Sequence, residues 1–229
     1  MKRQANNVVS KREVPGESVE ARSELLRAAE TCLRRDGYAA LTTRRVALAA
    51  NAPLSQIHYH FGSKQGLVLA LFEALNKRLL HRQDEMFHRN LPLWRQWEIA
   101  CDFLDEDLDS GYVRILNELS AASWSDHQIS CAIKEALFGW QKLLLEVARS
   151  ASKRFGGFGP LDPEDVAALI GSAFIGAEIN ILTGREGPEL PIRRALRRFG
   201  NLIQQHEKRK VETEDVKNAR KTTRPRRVR

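Results

Sequence analysis

Four consecutive residues, His58, Tyr59, His60 and Phe61, bring two imidazoles and two other rings into one short run. Imidazole is the commonest protein ligand for transition metals, so a metal site is the first chemistry to test. On an α-helix each residue turns by about 100°, which sends His58 and His60 roughly 160° apart. A helical zinc pair needs i, i+4 spacing, and positions 54, 56, 62 and 64 hold Leu, Gln, Gly and Lys. The run is therefore one surface of a helix made to touch something other than a metal ion. Ile57 and Phe61, at i and i+4, form its inner stripe, leaving Leu54, Ser55, Gln56 and Tyr59 outside together with His58 and His60.

Other reactive types offer less. Asp102, Asp105, Glu106, Asp107 and Asp109 crowd together and are expected to be the solvated end of a helix before a turn at Ser110 and Gly111. Cys32, Cys101 and Cys131 are odd in number and widely spaced, which points to buried thiols in a reducing compartment. The chain has no Gly-rich phosphate loop, no Gly-x-Ser-x-Gly elbow and no His pair at i, i+4 with an acid. No enzyme activity, cofactor or metal is expected.

The elements that hold these residues repeat with a helical period. Leu25, Ala28, Ala29 and Cys32 mark a helix over about 19–36, stopped by Gly37. Thr42 caps a short helix through Ala50, whose buried face is expected at Val46, Ala49 and Ala50. Asn51 suits a left-handed turn, and Pro53 opens the helix carrying Leu54 to Phe61. Ser63 caps the next helix, and further helices are expected at 92–108, 111–121, 127–154, 162–183 and 191–209. The expected fold is all-α, with a small N-terminal three-helix unit and a larger helical body.

The helix around VAALIGSAFIGAEINIL is apolar all round. It is either a central core helix or one that faces its own core on one side and a second subunit on the other. The uncharged run Val166–Ala177 is too short for the roughly 18 apolar residues of a membrane span, and the N-terminus lacks a signal-peptide core. A soluble, cytoplasmic protein without membrane contact is expected.

Net charge is uneven: +4 over residues 21–64, −3 over 65–206 and +6 over 207–229. Basic ends around an acidic body suggest a polyanion met by the ends alone, although the tail by itself also reads as a solvated, disordered charge run. Two short helices joined by a tight turn follow the helix-turn-helix plan, whose second helix enters the DNA major groove. Gln reads adenine edges and Leu meets thymine methyls, so Leu54, Ser55, Gln56, His58 and Tyr59 are the base-contact candidates. Thr42, Thr43, Arg44 and Arg45 place hydroxyls and cations at a helix start, where a phosphate fits, and His60 and Lys64 complete the phosphate candidates.

At this point a resemblance becomes specific. The run from Gly37 through TTRRVALAANAPLSQIHYHFGSKQGL closely resembles the DNA-binding head of the tetracycline-repressor (TetR) family of bacterial transcriptional regulators. Gly37, Thr42, Thr43, Val46, Ala47, Ala50, Ile57, Tyr59, His60, Phe61, Ser63, Lys64 and Leu67 fit its pattern. Asn51 and Ala52 replace the usual Gly-Val turn, and His58 stands where Tyr is more frequent. The match covers about residues 20 to 70.

The resemblance implies a homodimer on double-stranded DNA with a palindromic operator, released by a small apolar or amphipathic effector. It implies an interface built from the last two long helices, with Ile170, Phe174, Ala177, Ile181, Leu196, Phe199 and Ile203 as candidates. Trp94, Trp97, Phe103, Trp124, Phe138, Trp140 and Phe174 are the candidates to line the effector pocket. The expected divisions are a disordered arm over 1–18, the DNA-binding domain over 19–65, the effector and dimerisation domain over 66–207, and a basic, disordered tail over 208–229. An effector-independent nucleoid or division-linked DNA-binding protein is the alternative reading.

Overall fold

The computed structural model describes residues 15–222, with side chains for residues 18–210 apart from Ala39. Nine helices account for almost all of the described chain: α1 (Pro15–Ala40), α2 (Thr43–Ala49), α3 (Leu54–Phe61), α4 (Lys64–Phe87), α5 (Leu93–Asp109), α6 (Tyr112–Ala122), α7 (His127–Phe155), α8 (Pro163–Leu182) and α9 (Ile192–Thr222). The one other pairing among the described residues is an isolated bridge between Phe158 and Leu161. The chain divides into two compact units after Leu71, within α4, rather than at the expected residue 65.

The head is built around Leu25, Ala29, Cys32 and Leu33 of α1, with Leu41, Val46, Ile57, Leu67 and Leu71 closing the same core. Gly37 interrupts α1 with φ 76° and ψ 173°, a conformation open to glycine, so the last residues of the element leave the helical path. Thr42 caps α2 by accepting from the Arg45 amide at 3.2 Å. The buried face of α2 is Val46 and Ala47; Ala49 is exposed and Ala50 half-buried, contrary to the expected face. A seven-residue helix makes under two turns, so the 46/47 edge alone meets α1 and α3. Asn51 takes φ 50° at the turn, as its short polar side chain allows.

In the body, α8 packs along α7 and α9 along α5. Leu104, Phe174 and Ala177 form a buried cluster, against which Trp97, Trp140, Ile170, Ile181 and Leu196 pack. Two glycines permit this approach: a Cβ on Gly171 would stand 3.1 Å from the Gln141 side chain, and one on Gly200 3.0 Å from the Trp97 ring. Gly176, on the same helix as Gly171, has nothing within 4 Å.

Helix ends in the body are tied by side chains. Asp126 accepts from the amides of Gln128 and Ile129 at 2.9 and 3.0 Å. Glu207, buried on α9, accepts from the free amides of Leu93 and Trp94 at the start of α5, at 3.1 and 3.2 Å. A carboxylate there answers both the unpaired donors and the positive end of the helix dipole.

Several expectations change. The acids of α5 are solvated in part, with Asp102, Glu106 and Asp109 exposed, but four of them are also ion-paired: Arg82 holds Glu106 at 2.7 Å and the buried Asp107 at 2.8 Å, Arg197 holds Asp102 at 2.8 Å, and Arg193 holds Asp105 at 2.6 Å. Three helices, α4, α5 and α9, are thereby fastened. Cys32 and Cys101 are buried as expected, whereas Cys131 is exposed beside His127 at 3.7 Å. Helix α8 is long and apolar enough to cross a membrane by length and composition, a length the run Val166–Ala177 understated. It nonetheless inserts Ala167, Gly171, Phe174 and Ala177 into the body. Residues 15–18 begin α1 and α9 stays helical to Thr222, where disorder was expected; residues 1–14 and 223–229 lie outside the described residues.

Candidate nucleic-acid interface and ligand cavity

In the head, α3 turns one edge inward and the rest to solvent. Ile57 is fully buried, and Phe61 is half-buried with the Arg22 guanidinium 5.3 Å above its ring. Ser55, His58 and Tyr59 are exposed, and Leu54, Gln56 and His60 are partly so. Tyr59, at 70% exposure, is the largest of these and stands edge-on to His60 at 4.9 Å between ring centres. His58 is not free in both its nitrogens: Nδ1 lies 3.3 Å from the Gly62 carbonyl and closes the C-terminal turn of α3. Only its other nitrogen remains to meet DNA.

At the start of α2, Thr42, Arg44 and Arg45 are exposed and Thr43 partly so. The Thr42 oxygen is used as an acceptor, which leaves its hydroxyl proton to donate to a phosphate. Arg45 is held in place by the Ala40 carbonyl at 3.2 Å and by Asp36 at 3.6 Å. Lys64 lies 5.1 Å above the Tyr38 ring, exposed at the first turn of α4. Hydroxyl, helix-end amides and cations thus gather at the first turns of α2 and α4, the elements that precede and follow the exposed helix α3.

Two head residues escaped the sequence reading. Leu48 on α2 is 84% exposed, an apolar side chain turned to solvent beside the tight turn. Gly66 is essential to the junction of α3 and α4, because a Cβ there would fall 2.0 Å from the Phe61 carbonyl oxygen. The absence of a side chain at the third position of a helix was the available signal.

The body holds a cavity of about 350 Å³, partly open to solvent and lined mainly by apolar and aromatic side chains from α4 to α9. Of the expected lining residues, Trp97, Phe103, Trp140 and Phe174 are present. Trp94 is not among them; its amide is engaged by Glu207. Trp124 and Phe138 are 93% and 72% exposed and point to solvent, since the α6–α7 turn and the outer side of α7 carry them away from the core. Phe87, Phe155, Phe158 and Phe199 line the cavity without having been expected there. Their distances in sequence from the other aromatics hid them, because no single helix period connects them.

Polar groups enter this apolar space at few points: Gln83, Gln96, Asp107, Tyr112, Glu178 and His206. Burial lifts the Asp107 carboxyl to about 6 despite the Arg82 guanidinium that grips both its oxygens. Burial, reinforced by Asp107, lifts Glu178 to about 8. The Tyr112 hydroxyl, also raised by burial, donates to the Asn76 side chain at 2.9 Å. Among the described residues no group of three His, Cys, Asp or Glu is placed to hold a metal ion.

The expected interface residues divide. Phe174 and Ala177 are buried within the protomer and cannot meet a second subunit, because they face α5 and α7; Ile170, Ile181 and Leu196 pack partly against the same cluster. Ile203 and Phe199 line the cavity, with Phe199 still 43% exposed. The outward apolar side chains of α8 are instead Leu169 and Ile179.

Residues 25–71 match the family model described as bacterial regulatory proteins, tetR family. None of the curated proteins matches the chain. Among solved structures, it is similar to a TetR transcription regulator from Haloarcula marismortui, 18% identical, covering 81% of this chain and 96% of that one with a TM-score of 0.67. A transcriptional regulator from Saccharomonospora viridis solved with choline is 21% identical over 82% and 97% of the two chains, TM-score 0.68. The fatty acid degradation regulator FadR from Bacillus halodurans is 16% identical over 84% and 96%, TM-score 0.63. The head, over residues 25–71, thus matches the tetR-family model, and the chain as a whole shares the fold of these solved regulators.

Proposed function

We propose that the protein is a dimeric, ligand-responsive repressor that leaves a palindromic operator when a small apolar or amphipathic molecule occupies the body cavity. The observation that carries this reading is the cavity itself, about 350 Å³ in a body joined to a DNA-binding head. Its size lies within the roughly 300–1,000 Å³ of small-molecule sites. The Saccharomonospora viridis regulator supports it, since a protein of this fold was there solved in complex with the small molecule choline. Two copies of the head, each with Leu54, Ser55, Gln56 and Tyr59 toward base edges and Thr42, Thr43, Arg44 and Lys64 toward phosphates, read two half-sites about 34 Å apart. The protein acts in the cytoplasm, where that DNA is.

The test is fluorescence anisotropy on duplexes from the region upstream of the protein's own coding sequence, with an unrelated duplex as control. A palindromic duplex is bound more tightly than the control, and affinity falls steeply with salt. Gln56→Ala lowers specific binding by about 1–3 kcal/mol and leaves non-specific binding almost unchanged. Equal affinity for every duplex would sink the proposal.

A further inference from the structure

The cavity's polar side chains are few, and two of the six are acids. Its lining contains two carboxyl groups, Asp107 and Glu178, and neither lysine nor arginine. The aromatic donors are already used inside the protein: Trp97 donates to the Leu196 carbonyl at 2.7 Å, Trp140 to the Gln83 side chain at 2.8 Å, and Tyr112 to Asn76. The Gln96 amide is likewise directed to the Phe87 and Arg89 carbonyls at 3.3 and 3.4 Å, so the lining offers aromatic faces and carboxyl oxygens with no cationic side chain among them. Trp97 and Trp140 flank Phe174 edge-on, at 5.5 and 6.4 Å between ring centres.

The two acids differ. Asp107 is answered by Arg82 through two hydrogen bonds, while Glu178 has no such partner among the described residues. A carboxyl group turned into a cavity with no cationic partner from the protein is held neutral, and takes up its charge only when a cation comes beside it.

We infer that the effector is an amphipathic monocation, an amine or quaternary ammonium carrying an apolar tail, with its charge between Glu178 and the aromatic faces. This rests on the reading of the cavity as the effector site. A cation near the rings gains from their quadrupoles, and the tail fills the apolar remainder. An anion of the same shape would meet carboxyl groups with no cation available to it. In the empty cavity burial keeps Glu178 protonated, so an entering cation displaces that proton to solvent and total charge inside is conserved. The titratable groups beside Glu178 are Asp107 of α5, with its partner Arg82 of α4, and Tyr112 of α6; His206 of α9 enters the lining beside Phe155, and α7 lends it no titratable side chain.

Quenching of tryptophan fluorescence by three chain-matched probes, decyltrimethylammonium, 1-decanol and decanoate, tests this on the full-length protein without DNA. The cation binds about ten-fold more tightly than the alcohol at pH 7.5, decanoate binds weakest, and cation affinity rises from pH 6 to pH 8 while that for the alcohol does not. Glu178→Gln brings cation and alcohol within about two-fold of each other, and Glu178→Asp, which retains the charge, keeps the preference. Circular dichroism confirms that each variant is folded. Decanol or decanoate binding as tightly as the cation overturns the cationic inference and leaves the effector cavity standing. Failure of all three probes to bind overturns both.

Discussion

Single residues divide between those their types announced and those only the fold explains. Gln56 and Tyr59 were legible because a helical period separates an inner Ile57–Phe61 edge from the rest, and the structure leaves Tyr59 exposed. His58 was legible only as outward; its bond to the Gly62 carbonyl depends on where the chain turns after α3. Glu178 passed unnoticed, since a lone acid in an apolar helix does not reveal whether it meets solvent, a partner or a cavity. Its raised value has a sign that can be worked out. The folded protein keeps a proton that the unfolded chain releases above its ordinary 4.5, so stability falls as pH rises from there toward about 8. Glu178→Gln removes that fall: its melting temperature exceeds the native one at pH 8 and approaches it at pH 5, with roughly 2–4 °C expected per kcal/mol.

At the level of elements, every expected helix exists and most ends fall within a few residues, because capping and breaking residues such as Thr42, Asn51, Gly62 and Asp126 act locally. What periodicity could not give was which neighbour each face meets. Helix α8 shows this most clearly. Both of its sides are apolar, so sequence could not choose among Phe174, Ala177, Leu169 and Ile179, and the fold buries the first two. If a second copy covers the outer face, Leu169→Glu with Ile179→Glu gives a folded monomer in sedimentation, with weakened operator binding. The α3–α4 junction is equally specific. Gly66→Ala forces its new methyl against the Phe61 carbonyl and costs at least about 1–3 kcal/mol, measurable by urea unfolding.

For the whole molecule, uneven charge was the most useful property the composition held, and it was right to separate a basic head from an acidic body. The acids of α5 show how part of the body's negative charge is engaged: Arg82, Arg193 and Arg197 pair with four of them, while Asp102, Glu106 and Asp109 remain exposed. The basic C-terminal segment belongs to a helix that continues to Thr222. Ending the chain at residue 210 tests whether that segment serves as a DNA arm. If it does, affinity for all duplexes falls and the slope of log affinity against log salt becomes shallower by several units; if it does not, both stay unchanged at moderate salt.

The Glu207 carboxylate on the two amides that open α5 also orders events during synthesis. The head's core closes with Leu71, but the first turn of α5 has no partner for those amides until residue 207 has left the ribosome, on the order of ten seconds later. In that interval Trp97 and its neighbours lack the helix that covers them, and a closed head precedes a finished body on the nascent chain.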